Sequence, residues 1–343
     1  MYKYGIRGLP AKLLQSYLTN RVQVTKINNS FSSIQQVTCG VPQGSILGPL
    51  LFNLYINDLP KASKFSIRLF ADDACLTLRH KNPDTLESLI NQELNTVNNW
   101  MSINKLSVNY TKTNYVIFTK NKSQKQYNIY MNDKLLESVD EIRYLGVHID
   151  KKLDWKIHIN KIKSKLTSAS YILSKMRHYA DAHTLKLLYY CLAYPYLNYC
   201  VTAWCGAPKS ILQPLIRLEN KIIRIITNNN YTSPTKPIFL TLKTLPFNLI
   251  YTYNLSILMY KIQNPIITGS YNLLPLEQRH NYNTRLVNSQ NYFQNFHRTN
   301  LGKSTSSAKG ITVWRNVPSE FKSLPLFLFK NKIKQYLINS LNE

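Results

Sequence analysis

The first 150 residues predict an α+β fold, and the rest of the chain a mostly helical one. Up to Ile149 the apolar residues alternate in short β-branched runs broken by turn residues, with a few helical stretches between them. From Trp155 onward they recur every three or four residues instead. Charge divides the chain at the same place. Of 43 Lys+Arg and 17 Asp+Glu, which together give +26, residues 1–150 hold 17 basic and 11 acidic side chains. Residues 151–230 and 231–343 each hold 13 basic and 3 acidic ones. Such an excess does little for a fold but attracts polyanions.

Along the first segment, Pro10 starts a short helix over residues 10–18. Arg21 to Ile27 and Ile34 to Thr38 form a hairpin around Asn28-Asn29-Ser30. A glycine-flanked loop, Gly40-Val41-Pro42-Gln43-Gly44-Ser45, precedes a helix over Leu50 to Ile56 with Pro49 in its first turn. Ser66 to Ala71 and Ala74 to Leu78 read as strands joined by the two-residue turn Asp72-Asp73. Asp84 and Glu87 have capping-box spacing ahead of a helix with Leu86, Leu89, Ile90, Leu94, Val97 and Trp100 on its apolar face. Val116 to Phe118, Tyr127 to Tyr130 and Ile142 to Ile149 add strands, so an antiparallel sheet with helices on one face accounts for residues 1–150.

In residues 151–230, Trp155, Ile159, Ile162, Leu166, Ala169, Leu173 and Met176 form one apolar stripe. Lys156, Lys161, Lys163 and Lys165 lie largely off it. Helices over about 183–193 and through Leu212, Leu215, Leu218, Ile222 and Ile225 complete a small bundle with a basic outer face. Residues 228–237 read as a linker, 245–262 as a helix, 280–310 as loop and 328–341 as a closing Lys-rich helix. Five cysteines without metal-ligand spacing predict reduced, mostly buried thiols. Without a signal-peptide core or an apolar run of membrane-spanning length, the chain reads as soluble and intracellular, in nucleus or cytoplasm.

Taken alone, an Asp-Asp turn is an ordinary solvated turn, and Lys112 an ordinary surface lysine. The string Gly40-Val41-Pro42-Gln43-Gly44-Ser45-Ile46-Leu47-Gly48-Pro49-Leu50-Leu51-Phe52, followed by Phe70-Ala71-Asp72-Asp73, resembles palm motifs B and C of reverse transcriptases. The wording is nearest to jockey-like retrotransposons without long terminal repeats. Asn104-Lys105-Leu106-Ser107-Val108-Asn109 with Lys112-Thr113 resembles motif D, and Tyr144-Leu145-Gly146-Val147 the primer-grip motif E. His280 to Arg285, Trp314 and Phe329 to Lys332 resemble the C-terminal region of the same elements.

The resemblance implies an incomplete right-hand palm over residues 1–150, a helical thumb over 151–230 and a basic, mostly α C-terminal region over 231–343. It implies an RNA template, a DNA primer and deoxynucleoside triphosphates as partners, and says nothing of oligomeric state. Two Mg²⁺ ions would be held by Asp72 directly and by Asp73 less directly, since successive side chains diverge. Hard cations of this kind want carboxylate oxygens, and two of them roughly 3.5–4 Å apart stabilise both the attacking and the leaving oxygen. By the same resemblance Gly40, Pro42, Gln43, Gly44 and Ala71 would line the template and incoming nucleotide. Lys112 would face the triphosphate, and Tyr144, Leu145 and Gly146 would hold the primer end.

An earlier family motif, Phe-x-x-Asp followed by Ala-Phe-Asp, supplies the aspartate that bridges both metals, and it is not in this sequence. Before Asp58 the sequence has no acid at all. The expectation is therefore a chain that does not polymerise alone. The alternatives are a non-catalytic nucleic-acid-binding remnant, or an interaction module in which only residues 151–343 fold.

Overall fold

A computed structural model describes residues 4–42, 44–119, 125–267, 273, 275 and 291–342. The Gln43 site and the His280 to Arg285 motif lie outside the described residues. Two compact units divide the chain: residues 1–115 with 120–138, and 116–119 with 139–343.

The first unit mixes helices with short strands. Helix α1 (Gly8–Leu18) precedes β1 (Val22–Gln23), β2 (Lys26–Ile27), β3 (Ser30–Phe31) and β4 (Gln35–Gln36). β2 pairs with β3 and β1 with β4, which is the expected hairpin interrupted along its length. α2 (Leu47–Ile56) leads to β5 (Ser66–Phe70), β6 (Asp73–Thr77) and α3 (Pro83–Ile103). Then come β7 (Asn114–Tyr115), β8 (Tyr130–Met131), β9 (Lys134–Leu135) and β10 (Glu137–Ser138).

The antiparallel sheet expected here is replaced, among the described residues, by separate two-stranded ribbons, of which β7 with β10 is parallel. Most of these strands have only two residues, too few to present an edge to a third. Val116 to Phe118 form no strand, and only Tyr130 of the Tyr127 to Tyr130 run belongs to one. The core of this unit gathers Leu59, Phe65, Ile67, Leu94, Val97, Ile129, Met131 and Leu136. Among the described residues up to Leu47, none is buried.

The cap of α3 is also displaced from the expected capping box. Asn82 accepts hydrogen bonds from the Asp84 and Thr85 amides, with Pro83 occupying the first helical turn. Glu87 instead accepts the Asn128 amide and pairs with Lys125, fastening the β8 approach to the helix.

The second unit begins with the antiparallel hairpin β11 (Glu141–Tyr144) and β12 (Val147–Asp150) and continues with helices. These are α4 (Lys156–Met176), α5 (Ala182–Leu192), α6 (Tyr194–Asn198), α7 (Val201–Trp204) and α8 (Lys209–Ile226). α9 (Thr235–Leu242), α10 (Phe247–Gln263), α11 (Asn300–Ser304), α12 (Ser306–Arg315), α13 (Ser319–Lys322) and α14 (Leu326–Asn339) follow. The α4 stripe is as read, with Ile159, Ile162, Leu166, Ala169 and Leu173 buried and the four lysines exposed. Met176, at its end, is exposed. One buried cluster runs from Ile159 to Leu337, so residues on both sides of the Asn-rich segment share a core.

Two of the expected loops contain helices. α9 starts inside the supposed linker, where Pro234 has the extended backbone that precedes a helix. The 280–310 loop holds α11 and the start of α12, capped by the Thr299 and Thr305 hydroxyls. The cysteines are free thiols, but Cys39, Cys191 and Cys200 are exposed rather than buried. No helix among the described residues is long and apolar enough to cross a membrane.

Two buried ionisable groups sit in the helical core. Glu219 is fully buried, accepts the Tyr189 hydroxyl at 3.0 Å and the Phe247 amide at 2.8 Å, and so caps α10. Burial pushes its carboxyl up to about 7, against the lowering effect of the two donors. His158 packs edge-on against Trp204 and accepts the His148 amide; burial, with His148 nearby, pulls it down to about 4.

The two groups act on stability with opposite signs. A raised carboxyl favours the fold at low pH, and its contribution fades as pH climbs from about 4.5 to about 7. A depressed imidazole favours the fold above about 6.5, and its contribution fades as pH falls toward about 4. They offset one another between those limits, and only the glutamate loss continues above 6.5. Urea midpoints of Glu219→Gln should therefore stay level between pH 6.5 and 7.5, while those of the parent chain decline; parallel curves would refute this.

Candidate functional site

The β5–β6 ladder pairs Ser66 with Thr77, Ile67 with Leu76, Arg68 with Cys75, Leu69 with Ala74 and Phe70 with Asp73. Opposite residues share a face, so Ile67, Leu69 and Leu76 turn to the core while Arg68, Phe70 and Asp73 face out. The turn is thus Ala71-Asp72, one residue earlier than the expected Asp72-Asp73. Ala71 takes φ 49°, a left-handed conformation that its Cβ makes costly, and this closes the hairpin early enough for Asp73 to join the strand.

Asp72 therefore stands at the tip and Asp73 on the outer strand face, both exposed. Among the described residues neither forms an ion pair, although the chain carries +26. Two adjacent, unneutralised carboxylates offer the hard oxygen donors that Mg²⁺ prefers. Among the described residues no third acid, histidine or cysteine joins them in a metal-holding group.

The loop before α2 is organised by Ser45. Its hydroxyl donates to the Pro42 carbonyl at 2.9 Å and accepts the Gly48 amide at 3.0 Å, tying the loop to the helix start. Gly48 permits that closure, because a Cβ there would sit 3.1 Å from the Pro42 oxygen. Gly40 and Gly44 are needed for a different reason. They adopt φ 91° and 79° with open space around them, so conformation and not crowding requires glycine. Beyond the loop, Pro49, Phe52, Asn53, Ile56 and Asn57 face Leu69, Phe70 and Ala71 across a cleft of about 500 Å³. The helix that follows the glycine loop thus shares one opening with Ala71, the residue before Asp72.

Lys112 does not line this cleft. It is exposed at the end of a 3₁₀ turn, Tyr110–Lys112, beside a depression bounded by Ser107 to Thr111 and Lys134.

In the second unit, Tyr144 pairs with Val147, leaving Leu145-Gly146 as a two-residue turn. Both have positive φ, 46° and 82°, the sign pattern of a type I′ turn. The Tyr199 hydroxyl donates to the Leu145 carbonyl at 2.7 Å. At the base of the hairpin the Asp150 carboxylate is buried and accepts amides from Lys152, Asp154 and Trp155 at 3.0–3.2 Å. This holds Leu153 and Trp155 at φ 54° and 65° and sets where α4 begins. Neither Tyr199 nor Asp150 stood out in the sequence: the chain has 24 tyrosines, and a lone Asp after a strand carries no motif.

A paired carboxylate hairpin, preceded by a glycine-bounded loop and helix, offers the hard oxygen donors that two-metal nucleotidyl transfer uses. Residues 1–149 match the family described as reverse transcriptase (RNA-dependent DNA polymerase). The similarity runs past that segment, to RNA-directed DNA polymerases of transposons and mobile elements.

It is 29% identical over 223 residues to a probable RNA-directed DNA polymerase from transposon X-element of Drosophila melanogaster, across 63% of this chain and 24% of that protein. It is 25% identical over 244 residues to the RNA-directed DNA polymerase from mobile element jockey of Drosophila funebris, across 68% and 26%. The matched stretch spans about a quarter of either relative's length.

Leucine is a poor occupant of the first position of a type I′ turn, where Asn-Gly is favoured. Leu145→Asn should stabilise the helical unit by about 0.5–1 kcal/mol by relieving left-handed strain. An upward shift of the denaturation midpoint tests this, and a downward shift would show that the leucine side chain matters more than its backbone.

Proposed function

We propose that this chain contributes the carboxylate hairpin, template-side loop, primer-end hairpin and duplex-following helices of an RNA-directed DNA polymerase. The observation that carries this reading is the exposed, unneutralised Asp72-Asp73 pair, which follows directly on the cleft-lining Ala71, in a strongly basic chain. Asp72, at the tip, and Asp73, on the strand, would hold divalent cations. When bound, two Mg²⁺ ions would supply charge stabilisation for the attacking 3′-oxygen and the departing pyrophosphate.

The residues of the chain divide the remaining work. Gly40, Pro42 and Gly44 would face the template and the incoming base pair, the role that the family resemblance also gives Gln43, with Ala71 presenting only a methyl at the cleft wall. Lys112 offers an exposed ammonium for a triphosphate and could return a proton to the leaving group. The Leu145-Gly146 tip bears on the primer end. The lysines of α4 follow duplex phosphates without reading sequence, as a thumb would.

Two carboxylates leave the ion pair short of a bridging ligand. Losing a preorganised transition-state stabiliser costs roughly 3–4 kcal/mol, or 10²–10³ in rate, and a ligand shared by two ions should cost more. The chain by itself should then fail to extend a DNA primer on an RNA template with Mg²⁺. A version preceded by a Phe-x-x-Asp…Ala-Phe-Asp segment should extend it, and Asp72→Ala should abolish that. Extension by the chain alone would overturn the incomplete-site reading, and activity that survives Asp72→Ala would overturn the assignment of the hairpin.

Binding should be dominated by phosphate contacts. With about six to ten of them, duplex affinity should fall roughly 10³–10⁵-fold between 50 and 200 mM salt. Affinity that stays flat across this range, measured by fluorescence anisotropy, would remove the thumb assignment.

A further inference from the structure

We infer that Tyr199 is a positioning residue that fixes the Leu145-Gly146 tip for contact with a recessed primer end, an inference that rests on the primer-end reading of that hairpin. Tyr199 is 52% exposed, yet its hydroxyl is committed to the Leu145 carbonyl at 2.7 Å. Its ring lies 3.5 Å from where a Cβ on Gly146 would stand, so it also packs along the turn.

The tyrosine is itself held from behind. Trp204 Nε1 donates to the Tyr199 carbonyl at 2.9 Å. The Trp204 side chain is fully buried and stacks on Phe247 with ring centroids 5.6 Å apart. Cys200, next in the chain, takes φ 48° and turns the backbone so that Tyr199 leaves the core while α7 enters it.

The arrangement joins the helical core to the backbone of a hairpin tip through one side chain. A two-stranded ribbon of four residues per strand is marginal by itself. Its turn also holds Leu145 in an unfavoured conformation. A hydrogen bond to the turn carbonyl fixes the direction of that peptide, and so of the Gly146 amide that follows it. A backbone amide held in place in a basic chain is a suitable donor to the phosphate or sugar oxygens near a strand end.

The test is fluorescence anisotropy with the full chain on two duplexes of equal length, one with a recessed 3′ end and one blunt. The wild-type chain should prefer the recessed end. Tyr199→Phe, which keeps the ring packing and removes only the hydroxyl, should lose roughly three- to tenfold of that preference, the size one hydrogen bond can support. Its affinity for the blunt duplex and its melting temperature should not change.

A retained preference in Tyr199→Phe overturns the positioning role while leaving the primer-end reading intact. An equal loss on both duplexes makes Tyr199 merely structural and also overturns the role. If the wild-type chain shows no preference, the primer-end reading itself fails.

Discussion

Both hairpin tips assigned to chemistry depend on backbone held at positive φ by residues that have side chains. At the first tip, Ala71 at φ 49° places the turn at Ala71-Asp72, which sets Asp72 at the tip and Asp73 on the strand. At the second, Leu145 and Gly146 at 46° and 82° aim the carbonyl that Tyr199 takes. A left-handed non-glycine residue costs roughly 1–2 kcal/mol and persists only where its surroundings over-determine it. Here the surroundings are a five-pair ladder anchored by Ile67 and Leu69 in one case, and a tyrosine braced on a buried tryptophan in the other. Geometry that a polymerase would need at its tips is thus stabilised by packing some distance behind them.

Charge is arranged to the same end. The acids are concentrated in the first 150 residues, and many have structural duties: Glu87 on Lys125, Glu93 on the Lys64 amide, Asp150 on three amides. Asp72 and Asp73 have none among the described residues. In the helical unit, Glu219 is spent on capping a helix inside the core, where burial keeps its carboxyl poised near neutrality. Lysine and arginine outnumber the exposed acids there, such as Asp181 and Glu320, a balance that attracts polyanions.

Much of this was legible in the sequence, and the failures have physical reasons. The α4 stripe and the long helices were readable because an apolar face repeated over five turns has few competing interpretations. The switch near residue 150 was readable because period and charge changed together. Strands in the first unit were less so: an apolar run such as Val116 to Phe118 is equally at home in an irregular segment, and two-residue ladders leave no periodic trace. The turn falls one residue before the Asp72-Asp73 expectation because alternation fixes which face a residue takes but not where a hairpin closes. α11 and α12 read as loop in the sequence because a run of Ser, Thr and Gly suits both loops and helix caps. Tyr199 was invisible, since its role arises from a contact across 54 residues of chain.

The stretch before α2 has a further consequence. Leu9, Leu13, Val22, Ile27, Phe31, Ile34 and Ile46 are all exposed there, and no described residue up to Leu47 is buried. Short unpaired strand edges lie beside these apolar side chains. A protein of +26 should otherwise keep its copies apart by mutual repulsion, so this end acts as an adhesive patch on a self-repelling particle. Added salt weakens such repulsion and leaves apolar attraction intact, which favours contact through exposed apolar side chains of this kind.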